Sequence, residues 1–545
     1  MEVGLAVKRA GAAVPEALLP ARILGFRDSI KARTRISCVG FQPPASGAWR
    51  KRAVWVVRKG GVRSEAVLEE KAPPPKKKKE AGPVRLYVGL PLDAVSDCNA
   101  VNHGKAIAAG LRALALLGVH GVDLPVFWGV AAAGDWTSYL AIAAMARDVG
   151  LRLRVSLHLH AQRRPRLPLP ESVSRAAASN PDLLFSDRSG RRHPDCLSFA
   201  VDDLPVLDGK TPMEAYEEFF QSFRFAFSDF FGATIEVSKA ASFLRFLPHP
   251  DITIGLGPNG ELRYPSFPPS GSHGFTGVGE FQCYDKYMLA DLKRHAMEAG
   301  NRIWGHSGPH DAPEYNQSPA FGKFFKENGG SWETAYGQFF LSWYSGKLLS
   351  HGDRLLSVAS QVFGDLPVAL SAKVPLLHWW HKTRSRPSQL TAGFYNTDGR
   401  DGYEAVAEIF SSKSCTMIVP GMDLSDRDQP QGVKSSPESL LSQIMRACRK
   451  HGVRLAGENY SLVGVGTTAF RRIKENILAE NSRLDSFTYH RMGAEFFSPE
   501  HWPLFTEFIR SMMQPEMDSD DIPSSGERFS LMDAVPADDR EMQTV

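Results

Sequence analysis

From Val84 onward the chain alternates short apolar runs with amphipathic helical segments, and this βα rhythm limits the available folds more than any other feature. Val84–Leu90, Gly121–Trp128 and Leu153–His158 read as buried strands, with Lys105–Leu117 and Tyr139–Val149 as the helices after the first two. Three such units in series favour a parallel sheet closed or covered by helices. Further strands are expected at Ile252–Leu256, Val368–Lys373, Thr416–Val419 and Val453–Ala456, and an amphipathic helix at Pro437–His451. The length of 545 residues suits two to four average domains, or one large (β/α)8 barrel with a tail at each end. The fold class is α/β.

The ends differ from the body. Residues 1–80 hold 18 Lys and Arg against 7 Asp and Glu, net +11, which leaves net −7 for residues 81–545. A mildly acidic body gives no compositional support to a nucleic-acid-binding surface. Residues 1–70 are rich in Ala, Val and Arg, poor in acids and without a sustained amphipathic period, the balance of an organelle transit peptide. Pro73-Pro74-Pro75 and Lys76–Lys79 then read as a solvated linker, with a nuclear-localisation patch as the sharper alternative. The segments expected are 1–80 for transit peptide and linker, 81–512 for the barrel and 513–545 for a disordered acidic tail.

Six widely spaced cysteines, at positions 38, 98, 196, 283, 415 and 448, form no CxxC pair, so a reducing compartment is the default. No run of about 18 apolar residues is present to span a membrane. No motif calls for a cofactor or a metal. His158 and His160 would face one side of a strand, but with no third ligand in register they read as ordinary hydrogen-bonded histidines.

Reactive groups in such a barrel gather at the carboxyl ends of the strands. There the chain places His158, Gly257–Tyr264 with Glu261, Lys373 before His378-Trp379-Trp380, Asp423 and Asp426, and Glu458-Asn459. Carboxyl groups, aromatic rings and hydrogen-bonding side chains around one cavity suit a sugar, which stacks on rings and is gripped through its hydroxyls. Tryptophans at such places are more often core than platform, and Gly255–Gly260 lacks the Lys-Ser/Thr of a phosphate loop.

The run Gly257-Pro258-Asn259-Gly260-Glu261-Leu262-Arg263-Tyr264-Pro265-Ser266 resembles the beta-amylase family. So do Gly279–Tyr287, Phe340–Ser345, His378-Trp379-Trp380, Leu390–Asn396 and Ala456–Asn459, in the same order, over about residues 84–512. The resemblance implies a (β/α)8 TIM barrel with long loops at its carboxyl face. It also implies an inverting glycosidase that releases maltose from the non-reducing ends of 1,4-α-glucans. Inversion needs a general acid and a general base roughly 6.5–9.5 Å apart. By resemblance Glu261 stands at the acid's position and Asp423 at the base's, where the family has Glu. His158, Lys373, His378 and Asn459 match positions that hold sugar.

Other family positions are altered. Losing a methylene draws the carboxylate of Asp423 back by about 1.5 Å, and a misplacement of about 1 Å can cost on the order of 10²-fold in rate. The family's glycine-rich lid is replaced by Ala161–Pro168, without glycine and stiffened by proline. Its gripping aspartates fall at Cys98 and Pro125, its threonine at Pro420, and an arginine is lost after Asn459. An insertion of about thirteen residues near Ile235–Pro250 carries Phe243–Leu247, a surface loop or a contact surface. These changes lead to the expectation of an inactive or very weak beta-amylase-like protein with a regulatory or scaffolding part in chloroplast starch degradation. It would bind α-1,4-glucan weakly and partner an active starch-degrading enzyme. The alternative is an active beta-amylase with Asp423 or Asp426 as base.

Overall fold

The computed structural model describes residues 84–513, apart from 132, 233, 236–249, 268–275, 367, 461–465 and 480–483, and apart from the side chains of 250 and 251. The transit segment and linker, nearly all of the insertion, and the acidic tail from residue 514 lie outside the described residues.

Eight strands form the barrel: β1 Arg85–Gly89, β2 Gly121–Phe127, β3 Arg152–His158, β4 Pro250–Ile254, β5 Ala369–Lys373, β6 Thr416–Val419, β7 Leu455–Glu458 and β8 Leu484–Tyr489. Each pairs in parallel with its neighbours in the chain, and β8 closes on β1 from Arg85 opposite Ser486 to Val88 opposite Tyr489. The first seven strands lie where the sequence pattern puts them to within a few residues; β8 was not anticipated. Strand β7 runs two residues beyond its expected end, so Glu458 is on the strand and not after it.

Both faces of these strands are buried, but for different reasons. On β3, Leu153, Val155 and Leu157 turn outward to the helical ring, while Arg154 and Ser156 turn inward. Arg154 donates from Nη1 to Thr488 Oγ1 at 2.7 Å and from Nη2 to Ser486 Oγ at 2.9 Å. Since β3 and β8 are not adjacent, those bonds must cross the barrel interior. The guanidinium also lies 4.1 Å from the Tyr87 ring centroid. Ser156 Oγ donates to Asp123 Oδ1 at 2.8 Å, and Thr253 and Ser371 share a bond of 2.9 Å. The interior is therefore a stack of polar groups that satisfy one another, inside a shell of aliphatic contact.

The helix Gly104–Leu117 follows β1, Thr137–Asp148 follows β2, and Pro437–His451 follows β6. Two long excursions enlarge the carboxyl face. Between β3 and β4 a hairpin, Leu184–Ser186 with Arg192–Leu197, leads into the helix Pro212–Ala226. Between β4 and β5 the helices Lys286–Glu298 and Ala335–Phe363 carry the aromatic cluster around Phe281, Phe340 and Tyr344.

Candidate functional site

Every residue singled out for sugar chemistry lies at or just beyond the carboxyl end of a strand. Glu261 follows β4 through a tight turn in which Asn259 has φ 57° and Gly260 φ 77°. A Cβ on Gly260 would stand 3.2 Å from His158 Nδ1, so glycine there lets the turn approach the imidazole. Beyond the turn Glu261 pairs with Lys373 as an extra parallel bridge, and Leu262 N donates to Lys373 O at 2.9 Å. The Glu261 carboxylate accepts from Arg263 Nε at 2.7 Å.

Lys373 ends β5 and places Nζ 2.5 Å from Glu458 Oε2, while Glu458 Oε1 lies 3.0 Å from His490 Nε2. Burial pushes the Glu458 carboxyl up, but His490 and Lys373 beside it outweigh that and hold it far below the usual carboxylate range. Asn459 Nδ2 donates to His490 O at 2.8 Å, and His490 N donates to Asn459 Oδ1 at 2.7 Å. The Asn459 amide thus stitches the exit of β7 to that of β8.

Asp423 follows β6, and its Oδ1 accepts from the main-chain N of Tyr460 at 2.6 Å. Met422 N donates to Glu458 O at 3.0 Å, so residues 422–423 and 458–460 form one sewn edge. The Tyr460 side chain belongs to a residue 42% exposed, with its ring centroid 6.1 Å from that of His378 in an edge-on arrangement. Burial pushes the Tyr460 hydroxyl up to about 12, with the Glu261 charge adding to the rise, Arg263 opposing it and Asp423 adding again. Tyr460 thus joins Asp423 through its main chain and His378 through its ring.

His378 is buried, shares a hydrogen bond between Nδ1 and Ser435 Oγ at 2.7 Å, and lies tilted against the Trp379 ring at 4.4 Å. Burial lowers its pKa to about 4 against a small opposing pull from Asp426. Trp380, by contrast, is core: it is 9% exposed and its Nε1 donates to Thr276 O at 2.7 Å. Asp426 is not placed as a base. Its carboxylate accepts from Ser436 Oγ at 2.7 Å and from Glu438 N at 3.1 Å, and it pairs with Lys382 at 3.1 Å, holding the first turn of Pro437–His451.

The histidine pair is buried among aromatic rings, and a side-chain hydrogen bond joins Gln162 to His160. The rings of His158 and His160 meet edge to face at 5.2 Å, and neither Nδ1 has a hydrogen-bond partner among the described residues. Phe127 stacks on His158 at 4.7 Å. Burial is the main reason that both stay neutral at physiological pH; it takes His160 down to about 3, with Arg263 and Lys373 adding, and His158 well below 6.5.

The loop at 161–168 is tied down. Gln162 and Leu167 exchange two main-chain bonds of 2.7 Å, Ala161 N donates to Asp195 O at 2.7 Å, and Arg163 pairs with Asp195 at 3.0 Å. Leu167 is 1% exposed, and a Cβ on Gly129 would fall 1.9 Å from Pro168 O. Pro125 is buried within β2, and Asp97 and Cys98 are exposed on the loop after β1.

A family model described as glycosyl hydrolase family 14 matches residues 87–517. The chain belongs to glycosyl hydrolase family 14. Inactive beta-amylase 9 of Arabidopsis thaliana is 50% identical to this family 14 chain over 530 residues, covering 95% of it and 94% of the relative. Beta-amylase 2, chloroplastic, of Oryza sativa subsp. japonica is 40% identical over 446 residues, covering 79% and 77%. Inactive beta-amylase 4, chloroplastic, of Arabidopsis thaliana is 36% identical over 451 residues, covering 79% and 82%. Among solved structures, the catalytic domain of beta-amylase from Paenibacillus polymyxa matches with a TM-score of 0.62 at 24% identity, covering 79% of this chain and 99% of that one. That last likeness bears on the fold alone.

Sequence reasoning missed His490 beyond β8, and it missed two pairings, Arg263 with Glu261 and Glu458 with Lys373. Arg263 and Glu458 both lie inside motifs that carried the resemblance, so their presence was visible and their pairing was not. His490 follows the unanticipated strand, and the alternation of Leu484-Asp485-Ser486-Phe487-Thr488-Tyr489 was the available signal.

Proposed function

We propose that this family 14 chain is a catalytically silent beta-amylase-like protein that acts in the chloroplast stroma as a regulator or scaffold of starch degradation. It binds α-1,4-glucan weakly and works through an active starch-degrading enzyme, with no nucleic acid and no membrane among its partners. No helix among the described residues is long and apolar enough to cross a membrane.

The observation that carries this reading is the bond from Tyr460 N to Asp423 Oδ1 at 2.6 Å. A general base must reach the water it activates. Here the carboxylate at the base's position is one methylene shorter than the family's and is turned onto the main chain of its own barrel. Lys373, one of the residues matched to sugar binding, is engaged by Glu458. The tethered 161–168 loop, in the lid's place, lacks the freedom of a closing segment. The printed name of a relative 50% identical over 95% of the chain supports the same reading, and relatives named chloroplastic support the compartment.

Maltose release from soluble starch by the purified full chain tests it. The expected result is no release above the blank, in the wild type and in Asp423→Glu alike, because the longer side chain restores reach but neither the grips nor the lid. Appreciable release that disappears in Glu261→Gln would instead make the chain an active beta-amylase.

A further inference from the structure

We propose that Tyr460 is a built-in occupant of the sugar cleft: its ring stands between the Glu261 and Asp423 sides of the barrel mouth and excludes an α-1,4-linked glucose unit from that position. This deepens the reading of a silent family 14 protein and rests on it.

The argument is one of fixed position. The backbone at Tyr460 is held by its own N–H on Asp423. The preceding residue, Asn459, is clamped at both ends of its amide by the main chain of His490. One residue earlier, Glu458 O accepts from Met422 N, and its carboxylate is held by Lys373 and His490. Three consecutive residues are thus bonded to three different strand exits, which leaves the Tyr460 side chain only its own two torsions.

The ring's neighbours define where it points. His378 faces it edge-on, and the Trp379 ring lies tilted against His378 at 4.4 Å. The Tyr460 main-chain N is bonded to Asp423, and Glu261 pairs with Lys373, whose ammonium is bonded to Glu458 two residues before Tyr460. These contacts join the exits of β4, β5, β6 and β7 around Tyr460, and a sugar ring has to enter there to reach Glu261. A tyrosine ring and a glucose ring are of similar breadth, so both cannot occupy that space. As a residue Tyr460 is 42% exposed, so it is not part of the core.

Binding of maltotriose to the full chain, followed by isothermal titration calorimetry, tests the assignment in the wild type, Tyr460→Ala, Tyr460→Ser and Tyr460→Phe. Each variant's thermal melt is recorded alongside, and two small replacements guard against one that fails to fold. Removing the ring should tighten maltotriose binding at least tenfold in both small variants, whereas Tyr460→Phe should bind as weakly as the wild type. Equal affinity in the wild type and the small variants, or weaker binding on removal of the ring, would overturn the assignment, the latter because the ring would then be a stacking platform. Maltose in the same samples is assayed separately. Release by the wild type defeats the silent-protein reading, while tighter binding by Tyr460→Ala without maltose release leaves both intact.

Discussion

Acidification from pH 7 to pH 5 should strip the folded chain of most of its stability. Burial holds His160 down to about 3 and His193, His378 and His381 down to about 4, and holds His158 well below 6.5. In the unfolded chain these imidazoles titrate near 6.5, so below that pH the unfolded state takes up protons that the native state refuses. Stability therefore falls as pH falls, from about 6.5 down towards the folded values. Each of His160, His193, His378 and His381 contributes a loss of about 2 kcal/mol between pH 7 and pH 5, and His158 acts in the same direction. Asp285 works the other way: burial raises its carboxyl to about 7 against its bonds to Met288, Ser198 and Tyr287, and its native-state protonation offsets about one histidine. A net loss of several kcal/mol remains, comparable with the whole stability of many proteins. Urea unfolding at pH 7, 6 and 5 should show the midpoint falling steeply, and His160→Gln should flatten the trend. A midpoint that does not move over this range would refute the assignment of neutral buried histidines.

The second large effect belongs to the Lys373–Glu458–His490 cluster. Glu458→Gln should destabilise the fold by about 3–5 kcal/mol at pH 7, because it leaves the largely buried Lys373 ammonium without a counter-charge. The double variant Lys373→Met with Glu458→Gln should recover much of that loss. The folded pKa of Glu458 is depressed, so its contribution is fully present above the unfolded value of about 4.3 and is lost only as pH falls through and below it. The gap between wild type and Glu458→Gln should accordingly stay constant from pH 8 to about 5.5, which separates it from the histidine effect. A single variant as stable as the wild type would mean that the ammonium finds water or another partner.

Local pattern and long-range pairing were unequally legible. Pro437–His451 and Thr416–Val419 were readable to the residue, because an amphipathic period and an apolar run between turn signals are written in consecutive positions. The carboxyl-end placement of His158, Glu261, Lys373, Asp423 and Asn459 followed from barrel geometry alone once the strands were assigned. The contacts that decide what those residues do were not readable. Lys373 meets Glu458 across 85 positions of chain, and Asp423 meets the backbone of Tyr460 across 37. Nothing in a one-dimensional pattern states such partners. Strand β8 was missed because Asp485 and Ser486 interrupt its apolar alternation, and the inward hydroxyls of Ser486 and Thr488 gain their meaning only from Arg154, more than 330 residues earlier. The burial of the histidine pair without a partner at either Nδ1 was unreadable for a related reason: it depends on which side chains the fold brings near.

The tether at 161–168 also bears on time. Where a mouth is covered by a swinging segment, the residence of whatever lies inside is governed by the opening rate, commonly microseconds to milliseconds. Here the segment at 161–168 is bonded to the neighbouring hairpin and seated against Gly129, so it does not supply that slow step. Past this part of the rim, encounter and escape do not wait for the 161–168 segment to open, which suits a surface that is met and released quickly.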